Sequence, residues 1–187
     1  MGKDLFGELI SEAPDPQESY LRIKDESSLH GRVKRLKHLH KINPEGMSVG
    51  ADYETATGYI EMQWCFIEGF YLSTILLAQT LIEKILHDKF NKMELGKIGN
   101  KGLSAMLKYI RKENLLDEFW VNKIDHIRLI RNPITHLKEW GHEHRIDQRS
   151  IHSDIPTQDY LECDAKDAVE VATWLVRSKI NQLVWVL

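Results

Sequence analysis

Hydrophobic positions along the chain recur at helical spacing and nowhere at strand spacing. From Tyr59 to Asn91 the apolar residues Ile60, Trp64, Ile67, Tyr71, Ile75, Leu81, Ile82 and Ile85 fall mostly three and four apart. The stretch holds no proline, and Gly69 is its only internal glycine. Glu61, Glu68, Gln79, Glu83 and His87 leave a narrow polar stripe. The pattern predicts one long helix of roughly 45–50 Å, buried on most of its surface. Gly96, Gly99 and Gly102 mark a loop after it, followed by a helix with Leu103, Met106, Leu107 and Ile110 on one face. A further helix starts at Asp117, a good N-cap, and carries Trp120, Ile124, Ile127 and Ile130. The last starts near Asp164 and carries Ala168, Val171, Ala172, Leu175 and Val176.

The remaining segments are less patterned. Met1–Tyr20 reads as a weakly ordered arm broken by Pro14 and Pro16, although Leu5, Phe6, Leu9 and Ile10 could dock on a neighbour. A basic helix is expected from Leu21 to Lys41, ended by Asn43-Pro44-Glu45-Gly46, and Gly50–Thr57 is a connector. Gly141–Glu162 is polar and irregular, long enough for a functional or partner-facing loop. The expected class is all-α, an antiparallel bundle of four to five core helices with an N-terminal arm. Residues 1–57 hold the arm and the short basic region, and residues 58–187 hold the bundle.

Composition adds little to this. Of the 187 residues 42% are hydrophobic and 28% charged, which is enough for a core. Two cysteines, Cys65 and Cys163, make no disulfide framework. Cys65, in an apolar run, is expected to be a buried thiol. The N-terminus lacks the pattern of a signal peptide. The most apolar stretch, Phe70–Ile82, is too short to span a bilayer. A cytoplasmic protein is expected. The net charge of −3 does not advertise a polyanion partner, yet the middle of the chain is basic. One cluster is Arg32, Lys34, Arg35, Lys37 and Lys41. A second is Lys89, Lys92, Lys97, Lys101, Lys108, Arg111 and Lys112. Either could be a patch for a polyanion or an ordinary solvated face.

The candidate chemistry lies in Arg131-Asn132-Pro133-Ile134-Thr135-His136. Arg supplies a permanent forked cation suited to phosphate, and His a proton donor or acceptor near neutral pH. Asn132 and Pro133 are good N-cap and first-turn residues. The run therefore reads as one helix ending and another starting, or as a sharp kink. The distinction matters, because five residues of unbroken helix turn about 500° and leave Arg131 and His136 about 140° apart. A break at Pro133 would let them share a site. So would a two-fold dimer with the run at its axis. With a break, the amides of the new helix would lie near His136 and attract phosphate. The plain alternative is an arginine capping a helix and a core or surface histidine.

Arg, then Asn, then three residues, then His, after a long apolar helix in an all-α chain, resembles the HEPN superfamily. The resemblance spans roughly Tyr59–Val186. It implies a four- or five-helix bundle, a homodimer or pseudo-dimer with the motif at the dimer cleft, and in active members metal-independent RNA cleavage. Such members act in toxin–antitoxin, phage-defence or RNA-processing systems. It places Arg131 and His136 in the catalytic slots and Asn132 in the polar slot beside the arginine, with no cofactor. RNA and a second copy are the implied partners, with a protein partner or antitoxin as a further one. Inactive members imply the alternative, a dimeric module binding a protein or a nucleotide.

Other constellations are weaker. His142-Glu143-His144 superficially suggests a metal site but has no fixed third ligand. Glu83 and His87, one turn apart, are expected to pair on the helix surface. Trp140, Trp174 and Trp185 read as core or interface anchors. No phosphate-binding glycine loop, dinucleotide fingerprint, zinc-protease motif or nucleophile elbow occurs.

Overall fold

The computed structural model describes residues 15–44 and 52–181, and the described residues are helical with no strand. They form α1 (Pro16–Ile42), α2 (Tyr53–Glu68), α3 (Tyr71–Lys92), the single turn α4 (Gly96–Gly99), α5 (Leu103–Lys112), α6 (Glu118–Thr135), α7 (Ile146–Ser153) and α8 (Thr157–Asn181). Residues 1–14 of the expected arm, and Trp185, lie outside the described residues, whereas Pro16–Tyr20, expected as part of that arm, open α1, which begins at Pro16 and not at Leu21.

The predicted long helix is two helices. Gly69 takes the left-handed conformation, φ +82°, and ends α2. Its N–H and that of Phe70 donate back to the carbonyls of Phe66 and Cys65 at 3.1 and 2.8 Å, closing the α2 terminus. The chain reverses, and α3 returns antiparallel to α2. Gly58 faces the Leu81 side chain, and Lys84 Nζ donates to Glu54 at 2.7 Å. Apolar spacing did not reveal the turn because both helices present the same kind of face to the same core.

Start positions also shift. The expected connector at Gly50–Thr57 holds the start of α2, since Asp52 accepts from the N–H and the hydroxyl of Thr55 at 3.0 and 2.8 Å. The expected irregular loop Gly141–Glu162 holds α7 and the first turn of α8, so α8 begins at Thr157 and not near Asp164. Asp117 caps α6 as expected, accepting from Phe119 N–H at 2.8 Å.

Helices α3 and α8 run side by side through the centre. The core is built from Phe66, Ile75, Ile82, Leu86, Phe90, Met106, Ile110, Ile124, Ile127 and Val171, all buried. One polar link crosses it: Tyr59 donates to the Thr173 hydroxyl at 3.3 Å and accepts from Asn43 Nδ2 at 3.4 Å. Helix α6 crosses α8 in the opposite direction. Lys123 Nζ donates to Asp167 and Glu170 at 3.2 Å each, and Trp120 stacks on Trp174 with centroids 4.0 Å apart. This geometry brings the C-terminal end of α6 beside the start of α8. Among the described residues no helix is long and apolar enough to cross a membrane.

Candidate functional site

Helix α6 positions the Arg–His run. Val121, Ile124, Ile127 and Ile130 bury one face, and Ile134 continues that face against the core. This apolar continuity carries the helix through Pro133 to Thr135. The missing proline N–H leaves the Leu129 carbonyl without its i+4 donor, a cost of one ladder bond. His136 follows as the C-cap in an extended conformation, φ −126° and ψ 134°, its N–H donating to the Asn132 carbonyl at 2.9 Å.

The predicted restart at Asn132-Pro133 is therefore corrected. Asn132 caps nothing, and no new helix begins beside His136. The next helix, α7, starts ten residues later at Ile146. Arg131 and Asn132 are half-buried and His136 is exposed. Among the described residues none of the three side chains has a hydrogen-bond or ion-pair partner, so one chain does not link Arg131 to His136.

A cavity of about 220 Å³ opens beside the run. Ile130, Pro133 and Ile134 from α6, Leu72 from α3, Leu161 from α8 and Ile146 from α7 make its apolar wall. Arg131 lies about 60° around the helix from Ile134 and about 100° from Ile130, so it flanks this wall. The polar wall comes from His144, Arg145, Asp147, Arg149 and Asp164.

These polar residues are tightly organised. Arg149 grips Asp164 with both terminal nitrogens, at 2.9 and 2.5 Å, and both side chains are largely buried. The Arg149 guanidinium also lies 4.9 Å from the Tyr160 ring centre. Arg145 donates to Asp147 at 3.1 Å and to the Lys138 carbonyl at 3.3 Å, and packs 5.1 Å from the Trp140 ring centre. Burial holds the His144 imidazole below its ordinary pKa; Glu143 opposes this, and His142 and Arg149 add to it.

Sequence reasoning missed Arg145 and Arg149. They are one helical turn apart, but their segment shows no apolar stripe, and what makes them a site is Asp164, fifteen residues beyond Arg149.

Several of the remaining candidates are spent in structure. Arg35 donates to the Ile67 carbonyl at 2.8 Å and to Tyr71 at 3.2 Å, and Arg32 lies 3.4 Å from Glu68. Arg111 contacts Glu118, Asn122 and Asp125. His87 does not pair with Glu83; its two ring nitrogens contact Asn100 at 2.9 Å and Asn91 at 3.2 Å, tying α3 to the loop after it. Among the described residues no group of three His, Cys, Asp or Glu could hold a metal, so His142-Glu143-His144 gains no third ligand. Trp174 is the expected anchor, whereas Trp140 is exposed. Cys65 is only half-buried and Cys163 is exposed.

No family model matches the chain, and no curated protein or solved structure matches it either.

Proposed function

We propose that the chain is a HEPN-like, metal-independent endoribonuclease whose site is completed across two copies. The observation that carries this reading is Arg131. It is a half-buried cation with no counter-charge among the described residues, on the edge of an apolar-walled cavity. Structural arginines in this molecule are paired, as Arg149, Arg145 and Arg111 are. An unpaired one retains its capacity for a phosphate.

The chemistry needs only what these residues offer. The ribose 2′-OH attacks the adjacent phosphorus, and the bond to the 5′-oxygen breaks. The products are a 2′,3′-cyclic phosphate and a 5′-OH. Arg131 stabilises charge on the phosphorane. His136 moves a proton at the 2′-oxygen or the 5′-oxygen. Asn132 orients the phosphate. The cavity takes an adjoining nucleotide against Pro133 and Ile134. DNA resists, because it lacks the 2′-OH.

The test is RNA cleavage in EDTA by wild type, Arg131→Ala and His136→Ala. Each variant should lose at least about 100-fold. Mixing the two inactive variants should restore about a quarter of the sites, since random re-pairing gives half heterodimers with one intact site each. Cleavage that requires added metal would sink the mechanism. A second reading, a non-catalytic module binding a protein or nucleotide, is favoured by the separation of Arg131 from His136 on one chain. It takes over if wild type cleaves no RNA and binding survives in His136→Ala.

A further inference from the structure

The first half of α1 has almost no place in the bundle. From Pro16 to His30 nearly every side chain is exposed, including Tyr20, Leu21 and Ile23. The helix joins the body only in its second half, through Arg32, Arg35 and the buried Leu39. Isolated helical turns are marginal in water, so an unpacked half-helix with large apolar residues lacks the support that tertiary packing normally provides.

Among the described residues, the second half carries an open counterpart. A groove of about 200 Å³ lies between α1 and α2, lined among others by Leu36, His40, Trp64 and Ile67. Leu29, Val33 and Leu36 extend this apolar surface along α1 at spacings of four and three. They are 55%, 39% and 38% exposed, and Trp64 is 58% exposed.

Charge says what fits there. Residues 15–30 hold four carboxylates, Asp15, Glu18, Asp25 and Glu26, against two cations, Arg22 and Lys24. Residues 31–44 hold five cations, Arg32, Lys34, Arg35, Lys37 and Lys41, and no carboxylate. Lys34, Lys37 and Lys41 are exposed. Along one helix, then, an acidic apolar arm is followed by a basic rim over an apolar groove.

We propose that α1 pairs antiparallel with α1 of a second copy, with the two-fold axis near Leu29, the midpoint of the helix. Each arm then lies over the other copy's Leu36–Trp64 groove. Glu18 then falls between the other copy's Lys37 and Lys41, Asp25 and Glu26 fall opposite its Val33 and Arg32, and both copies bury the same surface, as a closed two-fold dimer requires. Parallel pairing would instead set basic half against basic half. This interface does not rest on the ribonuclease reading, because its test reads mass and needs no RNA.

The experiment is sedimentation equilibrium of the full chain at moderate salt. Wild type should run at twice the 21.8 kDa chain mass. Leu29→Glu, at an exposed position and checked for intact folding by circular dichroism, should weaken the dimer at least about tenfold by opposing two carboxylates across the axis. Lys37→Glu with Lys41→Glu should also weaken it. Adding Glu18→Lys to that same chain should restore it in part. Tightening by Lys37→Glu with Lys41→Glu would overturn the antiparallel arrangement. A wild-type monomer, or a dimer indifferent to Leu29→Glu, would overturn the interface.

Discussion

Two arginines on neighbouring elements show how context decides what a residue is for. Arg149 and Asp164 form a buried, two-point ion pair between α7 and α8. Replacing Arg149 by Ala leaves the Asp164 carboxylate buried without its cation, which costs about 3–5 kcal/mol. Arg131 has no such obligation, because no acidic group among the described residues answers its charge. Arg131→Ala should therefore change stability by no more than about 0.5 kcal/mol. Urea denaturation of both variants checks the contrast. An Arg131→Ala chain that loses as much stability as Arg149→Ala would show that Arg131 holds the fold, and the phosphate role proposed for it would fall. The comparison is worth making before any activity assay, since it tells a silent variant from an unfolded one.

At the scale of elements, the turn between α2 and α3 is the joint on which the bundle depends. Gly69 holds φ +82°, and a Cβ there would also sit 3.3 Å from the Arg35 guanidinium. Gly69→Ala should cost about 1–2 kcal/mol from the backbone conformation alone. A thermal melt reads this directly, and an unchanged midpoint would mean that the reversal does not need the left-handed residue. The same joint shows which parts of the fold the sequence makes legible. Helices α5 and α6 were legible because each has an apolar stripe, and α6 has a side-chain cap at Asp117. The α2–α3 turn was hidden because Gly69 sits inside unbroken apolar spacing, and only the backbone conformation marks it. Helix α7 was hidden because nothing on it is fully buried; Arg149 ties it to α8 through a residue distant in sequence. The site follows the same rule. Arg131, Asn132 and His136 could be named because they lie within six residues. The cavity beside them draws on α3, α6, α7 and α8, and no local pattern records that meeting. Pro133 misled for the converse reason: its local preference for a helix start was overridden by Ile130 and Ile134 packing on the core.

At the scale of the whole molecule, half-buried titratable groups predict how the fold responds to acid. His38, on α1, lies 3.7 Å from Glu170 of α8 and packs against Phe66. Burial lowers its pKa below 6.5; Lys166 and Lys41 push the same way, and Glu170 and Glu162 oppose. His144, at the cavity, is lowered chiefly by burial as well. Both imidazoles take up protons at lower pH in the fold than in the unfolded chain, where they do so near pH 6.5. The unfolded state then holds more protons than the folded one, so stability is full above about pH 6.5 and falls as acid carries the solution down through the lowered folded values. Glu162 adds a second, lower step. Burial raises its pKa, but hydrogen bonds from Lys166 and Tyr71 outweigh that and hold it below 4.5, so its contribution is present above that pH and lost beneath it. Urea midpoints measured from pH 7.5 to 3.5 should therefore decline in two stages. His38→Gln should flatten the upper stage in part, leaving the share due to His144, and Glu162→Gln should flatten only the lower. A wild-type midpoint that holds steady from pH 7.5 to 5.5 would show that neither histidine is kept neutral by burial, and that α1 meets α8 across a seam more open to water than the packing of His38 against Phe66 implies.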